Sequence, residues 1–183
     1  MNIDHWEVGM SARFVALFFA ALLSARAMPS VYGQVVYTTT LSGAAEVPPN
    51  ASTGTGSATI TYFPATSIMT LSMSFSGLSS STTAAHIHCC TSSTTNVGIA
   101  VLIPAFPNGI TAGTYGNTFD MTLASSYSPT FVTASGGVPA ALQLLLDSMG
   151  NRRAYLNIHS VAFPGGELRG NLIEQSIFRN GFD

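Results

Sequence analysis

Ile68-Met69-Thr70-Leu71-Ser72-Met73-Ser74-Phe75 decides the fold of this chain. Met69, Leu71, Met73 and Phe75 alternate with Thr70, Ser72 and Ser74, and successive side chains of an extended backbone point to opposite faces. A run with one apolar and one hydroxylic face reads as a half-buried antiparallel strand. The same period of two continues in both directions. It marks Gln34–Leu41 and Ser57–Phe63 before this stretch, and Ala84–Cys89, Val97–Ile103, Thr118–Ala124, Arg153–Val161 and Glu167–Ile173 after it. Gly, Pro and Asn gather in the connections, as in hairpin-rich folds. One segment departs from the pattern. Ala141, Leu142, Leu144, Leu145 and Met149 follow helical spacing, with Pro139 in the first turn and Gly150 just past the end, which predicts a short helix over about 138–149. Eight strands and one helix predict an all-β fold, an antiparallel β-sandwich or flattened barrel that hides its apolar faces against each other.

The chain has 183 residues, enough for one domain with a real core. Only 8% of its residues are charged, lysine is absent, and of the six arginines Arg13 and Arg26 fall in the N-terminal leader. Nucleic-acid binding draws on clustered Lys and Arg, so nucleic acid is excluded as a partner. Residues 14–23 form an apolar run too short to span a bilayer, followed by the A-x-A pattern Ala25-Arg26-Ala27. This predicts a signal peptide over 1–27, a leader-proximal segment over 28–33, a domain over 34–175 and a C-terminal tail over 176–183. Asp4 and Glu7 make a poor basic n-region, whereas a start at Met10 places Arg13 directly before the apolar run. The mature chain is expected to lack a membrane span and to be secreted or periplasmic, in an oxidising compartment.

His86, His88 and His159 are the only histidines beyond the leader. Along an extended strand His86, His88 and Cys90 share one side, while Ala85, Ile87 and Cys89 share the other. Two readings stand side by side. If His159 lies on a neighbouring strand, the three imidazoles form a metal site for Cu or Zn that water completes; otherwise they hydrogen-bond within a polar sheet face. Cys89 and Cys90 have no other cysteine to pair with, which leaves a vicinal disulfide, two free thiols, or Cys90 as a soft ligand beside the histidines. Phe163-Pro164-Gly165-Gly166 is a turn, so its flanks should pair as a hairpin with Leu156, Ile158 and Leu168 facing the core. Tyr155, Asn157, His159, Glu167 and Arg169 then share the outer face. With His159 opposite Glu167, Asn157 falls opposite Arg169, and the Glu167 carboxylate either orients a histidine or pins the register. Glu46, beside Pro48-Pro49, reaches toward the histidine face or serves as a cap or an arginine partner. No catalytic residues are expected, since the chain lacks a nucleophile elbow, a phosphate loop and a His-Glu-x-x-His helix.

Leu41-Ser42-Gly43-Ala44-Ala45-Glu46-Val47-Pro48-Pro49, Gly54 to Thr59, Gly77-Leu78, Ala85-His86-Ile87-His88, Tyr155-Leu156-Asn157-Ile158-His159 and Phe163-Pro164-Gly165-Gly166-Glu167-Leu168-Arg169-Gly170 occur in an order that resembles the CHRD domain. That family takes its name from chordin and is common in secreted microbial proteins. The resemblance runs from roughly Val36 to Ile173. It implies a binding or structural module of unassigned biochemical role, whose partner is an unidentified extracellular protein or surface ligand. A His-x-His strand also resembles the metal strand of copper/zinc superoxide dismutases, although the histidine-rich zinc loop of those enzymes is missing here.

Overall fold

A computed structural model describes Met1 and residues 33–175. The expected signal peptide, the start at Met10 and the tail over 176–183 lie outside the described residues, as does most of the leader-proximal segment. The strands are β1 (Val35–Ser42), β2 (Thr55–Phe63), β3 (Ile68–Ser76), β4 (Thr82–Cys89), β5 (Ile99–Leu102), β6 (Gly113–Asp120), β7 (Ala154–Ser160), β8 (Leu168–Asn171) and β9 (Ile173–Gln175), with helices α1 (Pro129–Ser135) and α2 (Val138–Gly150) between β6 and β7. All pairings are antiparallel, in the order β5-β4-β7-β8-β1-β2-β3-β6, with β9 also on β1. One curled half-barrel sheet therefore does the work of the two layers of a sandwich, wrapping one apolar face around the core.

The alternation that marks β3 is realised as read: Met69, Leu71, Met73 and Phe75 are buried, and Ser72 and Ser74 are exposed. Ile60, Ile87, Leu156, Ile158 and Leu168 complete the interior from neighbouring strands, with Leu145 and Met149 of α2 packed in among them. The helix expected over 138–149 is α2. A second helix precedes it: Pro129 occupies the first turn of α1, and Gly136, at φ 88°, supplies the left-handed cap whose N–H bonds back to Val132 and Thr133. The Thr-Phe-Val-Thr run inside α1 is β-branched and aromatic, and that masks its helicity in the sequence.

Two strand boundaries differ from the expectation. β6 runs over 113–120 rather than 118–124, because Asn117 interrupts the apolar alternation of Tyr115 and Phe119 and because the chain turns away at Asp120. There the Asp120 carboxylate accepts from Thr122 N–H at 2.9 Å and Thr122 Oγ1 at 2.6 Å, an Asx turn that ends the strand. The expected 167–173 strand is two pieces, β8 on β7 and β9 on β1, broken at Leu172, whose N–H bonds Ala154. Among the described residues no single helix is long and apolar enough to cross a membrane.

Candidate metal site

The β4–β7 register places His86 opposite Asn157, His88 opposite Tyr155 and Ala84 opposite His159. β8 adds Arg169 opposite Asn157. Because side chains alternate along each strand, His86, His88, Tyr155, Asn157, His159 and Arg169 all project from the same face of three adjacent strands. Imidazoles 73 residues apart thereby meet: one ring nitrogen of each of His86, His88 and His159 lies within 4.8 Å of the others.

Backbone carbonyls fix two of these rings. A carbonyl only accepts, so His88 Nδ1 donates to Val97 at 2.8 Å and His159 Nδ1 donates to Pro164 at 2.9 Å. In their neutral forms both therefore carry the lone pair on Nε2. His159 Nε2 receives His86 Nδ1 at 3.1 Å, whereas His88 Nε2 is buried with no protein group in hydrogen-bond reach. Burial keeps all three neutral. It pulls the His86 imidazole down to about 4, aided by the adjacent His159 and His88, and it lowers His88 and His159 below the usual histidine range.

His88 is held from behind by a stack. Its ring lies parallel to that of Tyr155 at 4.7 Å between centroids, and the Arg169 guanidinium sits 3.4 Å from the Tyr155 centroid. Since β7 lies between β4 and β8, the imidazole and the guanidinium take opposite faces of the phenol. Arg169 is fully buried. Its terminal nitrogens donate to Asn96 Oδ1 at 2.9 Å and to the Ser93 and Thr95 carbonyls at 2.9 and 3.2 Å. Val97 closes the circle: its carbonyl holds His88, and its N–H donates to Tyr155 Oη at 3.3 Å. The loop after β4 is thus folded back onto the His88 end of the histidine face and covers it.

Glu46 enters this face from the segment after β1. Its carboxylate accepts from Asn157 Nδ2, and it is 7% exposed. Burial pushes its carboxyl up to about 7 despite the opposing pull of Arg169. Asn50 donates to the carbonyls of Gly166 at 3.2 Å and Glu167 at 3.0 Å, and Asn96 Nδ2 donates to the Val47 carbonyl at 2.6 Å. Three segments distant in sequence are thereby clasped around the site.

The hairpin register agrees with the sequence for Asn157 and Arg169 but not for Glu167. Glu167 is fully buried, and its carboxylate accepts from Ser52 Oγ at 2.6 Å and from Ser79 N–H. Burial raises its carboxyl, yet the bonds from Ser160, Ser52 and Ser79 outweigh that and hold it below the usual range. It orients no histidine. Gly166, at φ 135°, turns the backbone just before it, and the β7–β8 ladder ends at the Ile158–Leu168 pair, short of Glu167. The sulfurs of Cys89 and Cys90 are joined, and both lie near the Leu144 carbonyl of α2, 4.0 and 3.8 Å away. Cys90 accordingly faces the helix and does not join His86 and His88 as a ligand. Tyr155 is the site residue that sequence reasoning left without a role, although its place on the outer face of the hairpin was contained in the pattern; its pairing with His88 was not.

No curated protein and no solved structure matches the chain. The family model of the CHRD domain matches residues 37–172, a span that holds every side chain of the site and every strand except the first two residues of β1 and the whole of β9. The stretches around Glu46, His86, Tyr155 and Gly166, which carry the resemblance in the sequence, fold together at this one place, and with a match over most of its length the chain belongs to the CHRD domain family.

Proposed function

We propose that this domain holds one transition-metal ion, Cu or Zn, on His86, His88 and His159, and that it works outside the cytoplasm. The observation that carries the reading is the buried Nε2 of His88. Buried polar atoms find partners in folded proteins, and this nitrogen finds none among the protein's own groups. Its lone pair lies within 4.8 Å of ligating nitrogens on two other neutral imidazoles. Ring N–H groups donated to Val97 and Pro164 are the outer-shell contacts that orient metal-bound histidine and fix its tautomer. Three imidazoles suit Cu or Zn, with a further position left for water. The domain's natural partner, an extracellular protein or surface ligand, would meet this loaded site.

The test is direct. Protein made with its native export signal is purified without chelators, its metal content measured, and apo protein titrated calorimetrically with Cu(II) and Zn(II). One equivalent bound in the wild type, and loss of binding in His86→Ala and in His159→Ala with an unchanged far-UV spectrum, is the expected result. Absence of uptake at micromolar metal would remove the reading and leave a CHRD module that acts through its surface.

A further inference from the structure

Resting on the metal reading, we propose that the bound ion keeps one coordination position open to solvent between His86 and His159, and that this position takes a small anion. The pocket is one-sided. His88 is 9% exposed and backed by Tyr155 and Arg169, whereas His86 and His159 are each only half-buried, so the free approach to the three nitrogens lies on their side. Among the described residues the ligating group contains three imidazoles and no carboxylate or thiolate. Zn(II) centres are four-coordinate and Cu(II) centres take four or more ligands, so three protein donors leave a place to be filled from solution.

Charge decides what fills it. Neutral imidazoles leave the ion with its full double charge, and neither nearby acid is among the ligating groups: Ser52 and Ser79 hold Glu167, and Asn157 holds Glu46, which acts on the site only through its charge at a distance. Arg169 adds a buried positive charge one aromatic ring behind His88. A centre with a dication in front, a guanidinium behind and no anionic ligand attracts an anion over a neutral donor of the same size.

The experiment uses Cu(II)-loaded protein, with azide as the anionic probe and imidazole as the neutral one, followed by visible absorption and electron paramagnetic resonance. One azide per copper should bind with a new charge-transfer band. Azide affinity should fall roughly three- to tenfold in Arg169→Gln and rise by a similar factor in Glu46→Gln, with imidazole affinity changed little in either. The Glu46 variant carries the test alone if Arg169→Gln does not fold, because the expected sign is then opposite. Copper bound one to one with a spectrum indifferent to both probes would show a closed site and overturn the proposal. Equal changes for azide and imidazole would overturn its electrostatic half. Failure to take up copper at all sinks the metal reading itself, a result distinct from either.

Discussion

The Glu46 carboxylate accepts a hydrogen bond from Asn157 while 7% exposed, and burial pushes its carboxyl from the ordinary 4.5 up to about 7. The folded state therefore binds this proton more tightly than the unfolded chain, and its contribution to stability declines as pH rises from about 4.5 to about 7. Glu46→Gln should leave stability at pH 4 unchanged and raise it at pH 8 by on the order of 2 kcal/mol, read from urea melts at the two pH values. Equal shifts at both would show that the carboxyl is not titrating as described. Gly166 constrains the same contact. A Cβ there would collide with Asn157 Nδ2 and Glu46 Oε1, at a φ of 135° that side-chain-bearing residues rarely adopt. Gly166→Ala is expected to destabilise the fold by about 2–4 kcal/mol in the same assay. A loss below half a kcal/mol would mean that the clasp yields without cost.

At the scale of elements, β4 and β7 deliver the ligands, β8 brings Arg169 in behind them, and the loop over 90–98 seats His88. The pairing of β7 with β8 was legible in the sequence, because alternation around Phe163-Pro164-Gly165-Gly166 fixes which residues share a face and puts Asn157 opposite Arg169. That β4 docks on the other side of β7 was not legible, since antiparallel pairing across more than sixty residues leaves no local mark. Nor was the fate of Glu167, whose carboxylate is held by Ser52 and Ser79, partners 115 and 88 residues away in sequence. The Arg169–Tyr155–His88 stack lies between these cases: each member was in view, but stacking depends on ring orientation, which no alternation rule supplies. Its weight is testable. Tyr155→Phe keeps the ring and loses only the 3.3 Å bond from Val97, so metal affinity should stay within about threefold of wild type. Tyr155→Leu removes the plane on which His88 rests and should weaken metal binding by about tenfold or more at a similar melting temperature. If both variants bound metal equally well, the stack would have no part in seating the ligand.

Across the whole molecule, a chain with 8% charged and 46% hydrophobic residues still presents a wettable surface, and it does so with hydroxyls. Register lines them up: Thr38, Thr59 and Ser72 form one row across β1, β2 and β3, and Thr40, Ser57, Ser74 and Thr114 form the next, extending onto β6. Ser57 and Ser74 are bonded across strands at 3.2 Å. Threonine suits the pleated strand and presents a group that both donates and accepts, so the sheet gains solubility without ionic side chains. The arrangement leaves little reserve. β6 ends the sheet with neither lysine nor proline to discourage edge pairing, and its Asn117 side chain is spent on the Thr118 N–H at 2.8 Å. Replacing the cross-strand pair Thr59 and Ser72 with valine should preserve the fold, because valine is at least as good a strand former, while opening an apolar strip beside an unguarded edge. Light scattering and sedimentation velocity at matched protein concentration should then show association in the double variant, with its far-UV spectrum and thermal midpoint unchanged. A double variant that stays monomeric would mean that the curl of the sheet, rather than its hydroxyl rows, keeps neighbouring molecules apart.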